Sequence, residues 1–395
     1  MPEQEEQRWN VLLVEDDETM RRQVKEYLQD EAFASRKLQI SDMPDLPEAL
    51  GFIRERKADL VILDVYRGRA MPGGEQTGVQ ILESIQRSGF VPVILYTALP
   101  EGLEEHTSIF VRLVGKDAGG LPKLKEEIAN LFQLLIPQLN RAIIDHLDQA
   151  LCSYMWGFVQ EHWGEFGDIV DKPEFLRLVV QRLALTFARH GIEEMTALVY
   201  GTALPAAGTV SENVHPAEYY IKPPIGKDPV LGDIRVRGED GKKIHLVVLW
   251  PSCDMVSVGG RTPKTDWVLC ARASLASETV EVREWIQSPS ETKKRNVEGL
   301  AKNNRDKSPD RYHFLPGVWD IPDLVIDFQA LEYPTLGALK GFYCLATLAS
   351  PFAESLGVRF QRYIGRLGVP DLDLEVVLTA LDGRLGGASG GSTAP

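Results

Sequence analysis

The feature that most constrains this chain is a short apolar run carrying one carboxylate near its end, Ala58-Asp59-Leu60-Val61-Ile62-Leu63-Asp64-Val65-Tyr66. A near-continuous Val/Ile/Leu run of this length suits a strand buried on both faces of a parallel sheet. In an open α/β sheet, chemistry is placed in the crevice beyond the carboxyl ends of the strands. The run therefore predicts Asp64 at the mouth of such a sheet. Taken alone, an acid at a strand end serves equally well as a helix cap or turn former.

Three further apolar runs end on reactive groups. Val11-Leu12-Leu13-Val14 leads into Glu15-Asp16-Asp17, the run 91–96 into the hydroxyl of Thr97, and the run 109–115 into the ammonium of Lys116. Carboxylates gathered at one point raise one another's pKa, so the set predicts a hard, oxygen-preferring cation such as Mg²⁺. Together these groups are what phosphoryl transfer to Asp64 requires. A cation bridges Asp64 and the phosphoryl oxygens, Lys116 offsets the remaining charge, and Thr97 hydrogen-bonds the group once it has arrived.

On these residues the first 135 or so positions resemble the receiver domain of a two-component response regulator. The likeness rests on Val14-Glu15-Asp16-Asp17, Leu63-Asp64, Thr97-Ala98 and Lys116, in the family's order and each at a strand end. It implies a doubly wound, five-stranded parallel α/β fold of the flavodoxin-like kind, with Asp64 as phosphoacceptor and Thr97 and Lys116 as its catalytic partners. It also implies Mg²⁺ held by Glu15, Asp16, Asp64 and the backbone carbonyl of Tyr66, with Asp17 only a neighbour, and a histidine kinase as phosphodonor. Three features depart from the family. The loop 67–77 is longer than most receivers carry, Asp117-Ala118 follows Lys116 in place of a proline, and Leu113 stands where an aromatic switch residue is common. These departures put in doubt a switch that works by rotating an aromatic ring, and leave open whether phosphorylation switches the conformation.

At 395 residues the chain exceeds one ordinary core. A net charge of −14 argues against a chain that wraps nucleic acid, and no helix-turn-helix pattern follows the receiver. Residues 1–8 are polar and acidic, and no stretch reaches the roughly 20 apolar residues of a membrane span, so a cytoplasmic location is expected. Cys152, Cys253, Cys270 and Cys344 are far apart, which predicts reduced thiols and no structural zinc.

From residue 121 to 151 apolar residues recur at helical spacing, through Leu124, Ile128, Leu131, Leu135, Leu139, Ile143, Leu147 and Leu151, with Pro137 placed to kink or split the helix. This length reads either as a lever or homodimer seam, or as the last receiver helix running into the next core. A further helix is expected over 172–188. Trp156 and Trp163 are costly to expose, so these helices are expected to bury against the remainder of the chain. After residue 201 alternating runs and the turn Glu239-Asp240-Gly241 predict an α+β domain with a small antiparallel sheet or barrel. The expected organisation is a receiver at 1–135, a helical linker or subdomain at 136–200, an output domain at 201–381 and a disordered Gly/Ser-rich tail at 382–395.

In Trp250-Pro251-Ser252-Cys253-Asp254, a Cys-Asp pair leaves an apolar strand, and a nearby His245, His313 or Asp327 would activate a thiolate there. Buried or turn-stabilising Cys and Asp are the commoner case. This half resembles an uncharacterised bacterial domain with the motifs Pro-Ser-Cys-Asp at 251–254, Phe-Leu-Pro-Gly at 314–317, Val-Asp-Phe at 326–328 with Ile326 for Val, and Gly-Arg-Leu-Gly-x-Pro-Asp-Leu at 365–372. Receiver fusions of this type resemble those encoded beside kinase-type sensor ATPases in bacterial conflict and anti-phage systems. Two functions follow. One is a phosphorelay module whose rear domain, without binding DNA, relays or buffers the signal; the other is a phosphorylation-gated effector enzyme using Cys253 and Asp254. The module is preferred, because only the front of the chain carries a complete reactive set.

Overall fold

The computed structural model describes residues 8–44, 46–55, 57–66, 77–166, 173–186, 196, 199, 213–257, 262–305, 309–366 and 372–386. The chain divides into two compact units, Met1–Val210 and Ser211–Pro395. Among the described residues, no helix is long and apolar enough to cross a membrane.

The first unit runs β1 (Trp9–Val14), α1 (Glu18–Leu28), β2 (Ala32–Phe33), β3 (Arg36–Met43), α2 (Leu46–Arg54), β4 (Leu60–Leu63), α3 (Thr77–Ser88), β5 (Val93–Thr97), β6 (Val111–Gly115), α4 (Gly120–Gln133), α5 (Ile136–Cys152) and α6 (Pro173–Thr186). Its sheet has the order β2-β3-β1-β4-β5-β6. Five strands are parallel, as their apolar runs predict, and β2 adds a short antiparallel edge to β3. The tight turn into β3 places Ala34 and Ser35 at φ 44° and 65°. Two residues are too few to show strand alternation, so this edge left no pattern in the sequence.

Residues alternate between the faces of the sheet, and helices cover both. Leu12, Val14, Val61, Leu63, Val93 and Leu95 pack with Ala49 and Ile53 of α2 and Leu82 and Ile85 of α3. Val11, Leu13, Leu60, Ile62, Ile94 and Val114 pack with Val24 and Leu28 of α1 and Leu124, Ile128 and Leu131 of α4. A strand covered on both sides has no polar face, which is why β4 reads as Leu-Val-Ile-Leu.

The long helical stretch is split. Leu135 turns to φ 60°, and Pro137 lies in the first turn of α5, where its missing N–H costs nothing. The start of α5 is anchored to the first unit's sheet: the Arg141 guanidinium pairs with Asp59 and lies 5.5 Å from the centre of the Trp9 ring. Gln138 donates to the Phe132 carbonyl at 2.8 Å. Between β5 and β6 stands a single 3₁₀ turn, Glu104–His106. One expectation changes. Trp156 and Trp163 are exposed, with aromatic contacts formed locally, including Tyr154 on Phe158 and Trp163 on Phe175.

The second unit contains β7 (Tyr220–Ile221), β8 (Asp233–Glu239), β9 (Lys242–Val248), α7 (Ser252–Met255), β10 (Cys270–Leu275), α8 (Val280–Gln287), α9 (Glu291–Ala301), β11 (Tyr312–Leu315), β12 (Leu324–Glu332), α10 (Leu336–Gly341), β13 (Tyr343–Leu348), α11 (Phe352–Ile364) and α12 (Leu374–Gly386). Seven strands form one antiparallel sheet in the order β11-β12-β10-β9-β8-β13-β7. It stays open, with β11 and β7 at its two edges. On one face α11 packs Phe360 and Tyr363 against Phe328; the other face packs Leu246, Val248 and Cys270 against Met255 and Leu339. The tail expected to be disordered from 382 is helical as far as Gly386, and 387–395 lies outside the described residues.

One buried group makes this unit acid-sensitive. His313 on β11 is buried, its Nδ1 has no hydrogen-bond partner, and burial beside Arg359 holds its pKa down to about 4. The unfolded chain protonates near 6.5 and therefore binds the proton first as pH falls. Stability is full above about pH 6.5 and declines down to about pH 4, by roughly 3 kcal/mol for this one group. Urea midpoints measured between pH 7 and 4 are expected to fall less steeply in His313→Leu. Parallel pH profiles for the two proteins would rule this source out.

Candidate functional site

The carboxyl ends of β1, β4, β5 and β6 bring the reactive residues to one place. β1 and β4 are level, with Val14 opposite Leu63, and the Asp64 N–H donates to the Val14 carbonyl at 2.9 Å. At the next strand pair, the Lys116 N–H donates to the Thr97 carbonyl at 2.7 Å. The Lys116 ammonium then reaches back across the sheet. It lies 2.7 Å from Glu15 Oε2 and 2.7 Å from Asp64 Oδ2. These side chains are 9% (Lys116), 2% (Glu15) and 11% (Asp64) exposed, so little water screens them. The Tyr96 ring, 5.6 Å away, gives the ammonium an aromatic wall.

Glu15, Asp16 and Asp64 each place a carboxylate oxygen within 4.8 Å of the others. Burial pushes the Glu15 carboxyl up to about 7, with the ammonium of Lys116 opposing the shift and the neighbouring Asp64 charge adding to it. One ammonium therefore does not fully compensate the acids. Asp17 is committed elsewhere: it caps α1, accepting from the N–H groups of Thr19 at 2.8 Å and Met20 at 2.9 Å, which holds its carboxyl below the usual range. This separation is testable. Asp17→Ala is expected to lower the unfolding temperature modestly and leave phosphoryl uptake unchanged. Asp16→Asn should raise the Mg²⁺ concentration needed for uptake by on the order of 10–100-fold. A titration of uptake against Mg²⁺ separates the two, and equal effects would reassign the acidic pair.

Thr97 is fully buried at the end of β5, its hydroxyl 3.4 Å from the Leu99 N–H. Tyr66 is buried in the core two residues beyond Asp64. The loop 67–76 lies outside the described residues. Gly78 opens α3 against the end of β4, and a Cβ there would lie 2.3 Å from the Asp64 carbonyl oxygen, so only glycine fits. Where the family has proline after its lysine, the Asp117 carboxylate accepts from Gly119 N–H at 2.9 Å and Lys123 at 3.1 Å and closes the turn into α4. Leu113 is half-buried against the core formed with α2 and α3.

Sequence reasoning missed Arg21. Its guanidinium donates to the Glu15 carbonyl at 2.7 Å and pairs with Asp42 at 3.3 Å, fixing the acidic loop from behind. An arginine on the first turns of a helix is too common to signal such a role.

In the second unit the motif residues serve the architecture. Ser252 accepts from Leu231 N–H at 2.9 Å, Gly317 N–H donates to Asp323 at 2.6 Å, and Asp327 forms a two-point pair with Arg311 at 2.7 and 2.6 Å. Residues 367–371 of the last motif lie outside the described residues. The cysteine reading is not supported. Cys253 is exposed, and its only neighbouring charge among the described contacts is Asp254, 3.6 Å away. His245 shares a face of β9 with Val247, the face opposite to Leu246 and Val248, against which the Cys253 turn packs through Met255. His313 is buried on the edge strand β11, and Asp327 is taken by Arg311. Burial pushes the Cys270 thiol up to about 12 and that of Cys344 to about 11, which makes both inert as nucleophiles.

Residues 11–108 match the family model of the response regulator receiver domain, so the N-terminal part of this chain is a receiver domain. Among solved structures, the chain is similar to the response regulator TrrA from Thermotoga maritima in complex with Mg²⁺–BeF, at 28% identity over 31% of this chain and 98% of that one, TM-score 0.25. It is also similar to the receiver domain of response regulator 1452 from Francisella, at 21% identity over 31% and 96% of the two chains, TM-score 0.25. A third is the response regulator domain of Thermotoga maritima CheB, at 23% identity over 31% and 94%, TM-score 0.23. No curated protein matches this chain.

Proposed function

We propose that this chain is a phosphorelay protein that accepts a phosphoryl group on Asp64 from a histidine kinase, and that its second unit relays or buffers the signal without binding DNA. The observation that carries this reading is the ammonium of Lys116 held at 2.7 Å from both Glu15 and Asp64, at the open ends of buried parallel strands. Three hard oxygen donors within 4.8 Å, one of them pushed up to about 7 chiefly by burial and also by the neighbouring Asp64 charge, suit Mg²⁺. Glu15, Asp16, Asp64 and the Tyr66 carbonyl would hold it. When bound, the ion would neutralise charge on the transferred group.

The chain's own residues do the rest. An Asp64 oxygen forms the new bond to phosphorus as the bond from phosphorus to the donor imidazole breaks. Lys116 leaves its pairing with the bare carboxylate and meets a phosphoryl oxygen, and the Thr97 hydroxyl donates to another. In this reading the receiver spans 1–135, the helices of 136–200 connect it to an output domain at 201–381, and the chain acts in the cytoplasm. Leu139, Ile143 and Leu151, exposed along α5, would be covered in a homodimer formed through these helices. The test is intact mass after incubation with acetyl phosphate and Mg²⁺. Wild type is expected to gain one phosphoryl group and Asp64→Asn none. No gain in wild type from acetyl phosphate or from a cognate kinase would overturn the reading.

A further inference from the structure

Two acids of the candidate site, Glu15 and Asp16, stand on the loop that leaves β1, and a loop has no ladder to hold it. Its backbone groups must find partners elsewhere. The Glu15 N–H donates to the Met43 carbonyl of β3 at 3.1 Å. On the other side of the same residue, the Glu15 carbonyl accepts from Arg21 Nη1 at 2.7 Å, and that nitrogen lies 3.4 Å from the Asp16 carbonyl. The guanidinium continues to β3, where its Nε stands 3.3 Å from Asp42 Oδ2. Asp42 is held in turn by Lys25, one turn further along α1, at 2.5 Å.

Arg21 therefore joins the acidic loop, α1 and β3, with its own side chain 15% exposed. A planar guanidinium presents its N–H donors in a fixed fork, so one side chain meets carbonyls and a carboxylate together. A lysine ammonium on a flexible stem has no such fork. Glu15 thus starts from a backbone tied on both sides, and Lys116 holds the far end of its side chain at 2.7 Å.

Two effects of this guanidinium on a cation held by Glu15, Asp16 and Asp64 oppose each other. Its charge repels the cation, and its bonds keep the ligand-bearing loop in place. The Asp42 carboxylate beside it offsets the first effect. The second favours the small ion, because Mg²⁺ demands a near-octahedral oxygen cage at about 2.0–2.1 Å while Ca²⁺ accepts irregular cages at about 2.3–2.6 Å. A loop tied at its backbone suits the stricter ion.

We propose that Arg21 is a positioning residue that gives the acidic site its preference for Mg²⁺ over Ca²⁺. It acts through the carbonyls of Glu15 and Asp16, from outside the ligand set. The proposal rests on reading Glu15, Asp16 and Asp64 as a Mg²⁺ site and adds what holds two of them in place.

The test uses the full chain without a phosphodonor. Mn²⁺, a hard cation suited to the same carboxylates, is followed by its electron paramagnetic resonance signal and displaced with Mg²⁺ or Ca²⁺. Arg21→Gln is expected to raise the Mg²⁺ dissociation constant by on the order of 10-fold and that of Ca²⁺ by about 3-fold or less, so the preference narrows. Arg21→Lys, which keeps the charge and loses the fork, should narrow it in part. Asp42→Ala removes the far anchor, leaves every acid of the site in place and should narrow it too, which decides the matter if Arg21→Gln does not fold. Equal effects on the two ions in either variant, or a wild-type ratio in Arg21→Lys, would each overturn the proposal. A wild-type chain that binds no Mn²⁺ would overturn the cation site along with it. Phosphoryl uptake plays no part in this readout, so a chain whose Mg²⁺ preference depends on Arg21 but which takes no phosphoryl group would sink the phosphorelay reading alone.

Discussion

Lys116→Ala is expected to slow phosphoryl uptake from acetyl phosphate by on the order of 10²–10³-fold, the usual loss when a preorganised charge at the reacting group is removed. The lysine is held by two ion pairs of 2.7 Å in a site almost closed to water, so in the proposed transfer its charge would be in place beforehand. Removing it leaves Glu15 and Asp64 facing each other without their shared cation, and Glu15, already raised to about 7, would shift further upward. Lys116→Arg keeps the charge but not the compact ammonium geometry and should recover only part of the rate. Initial rates followed by intact mass at fixed Mg²⁺ measure this directly. An Ala variant as fast as wild type would make Lys116 a structural counter-ion only.

The second large effect concerns stability. Asp233 and Arg235, two residues apart on β8, form an ion pair whose side chains are 2% and 4% exposed, with the guanidinium 2.5 and 3.1 Å from one carboxylate oxygen. The Thr347 hydroxyl donates to the other oxygen at 2.6 Å, tying β8 to β13. Asp233→Ala strands a buried guanidinium and is expected to cost about 3–5 kcal/mol. Asp233→Leu with Arg235→Met, which removes both charges, should recover most of that loss, because the pair itself is expensive to desolvate. Urea unfolding of the second unit's transition gives the comparison. If Asp233→Ala lay within about 1 kcal/mol of wild type, Arg235 would have to find water or another partner, and the closed network would be wrong.

The two predictions draw on different amounts of sequence information. The residues around Lys116 stand at the ends of largely apolar runs, the last of them broken by Arg112, and such runs are how strands of a covered parallel sheet are written. The Asp233–Arg235 pair gave no such signal. Asp-Ile-Arg-Val-Arg reads as a half-exposed alternating strand, and that its charged positions face inward depends on what packs over them. The same limit explains β13, which was not anticipated. Tyr343-Cys344-Leu345-Ala346-Thr347-Leu348 carries no alternation that separates it from a loop, and β8 and β7 on either side make it a strand.

What the sequence by itself determined is local: which segments are strands and helices in the receiver, where they end, and which side chains stand at those ends. Apolar continuity, helical period and caps act over a few residues, so a linear reading captures them. What only the tertiary structure decided is proximity between distant segments. Register and crossover set Lys116 against Glu15 across about a hundred residues of chain, turn Asp17 to the α1 cap, and keep His245 and Cys253 on opposite faces. The physical reason is that a one-residue change of register moves every side chain of a strand to the other face, and nothing within the strand's own residues specifies its partner.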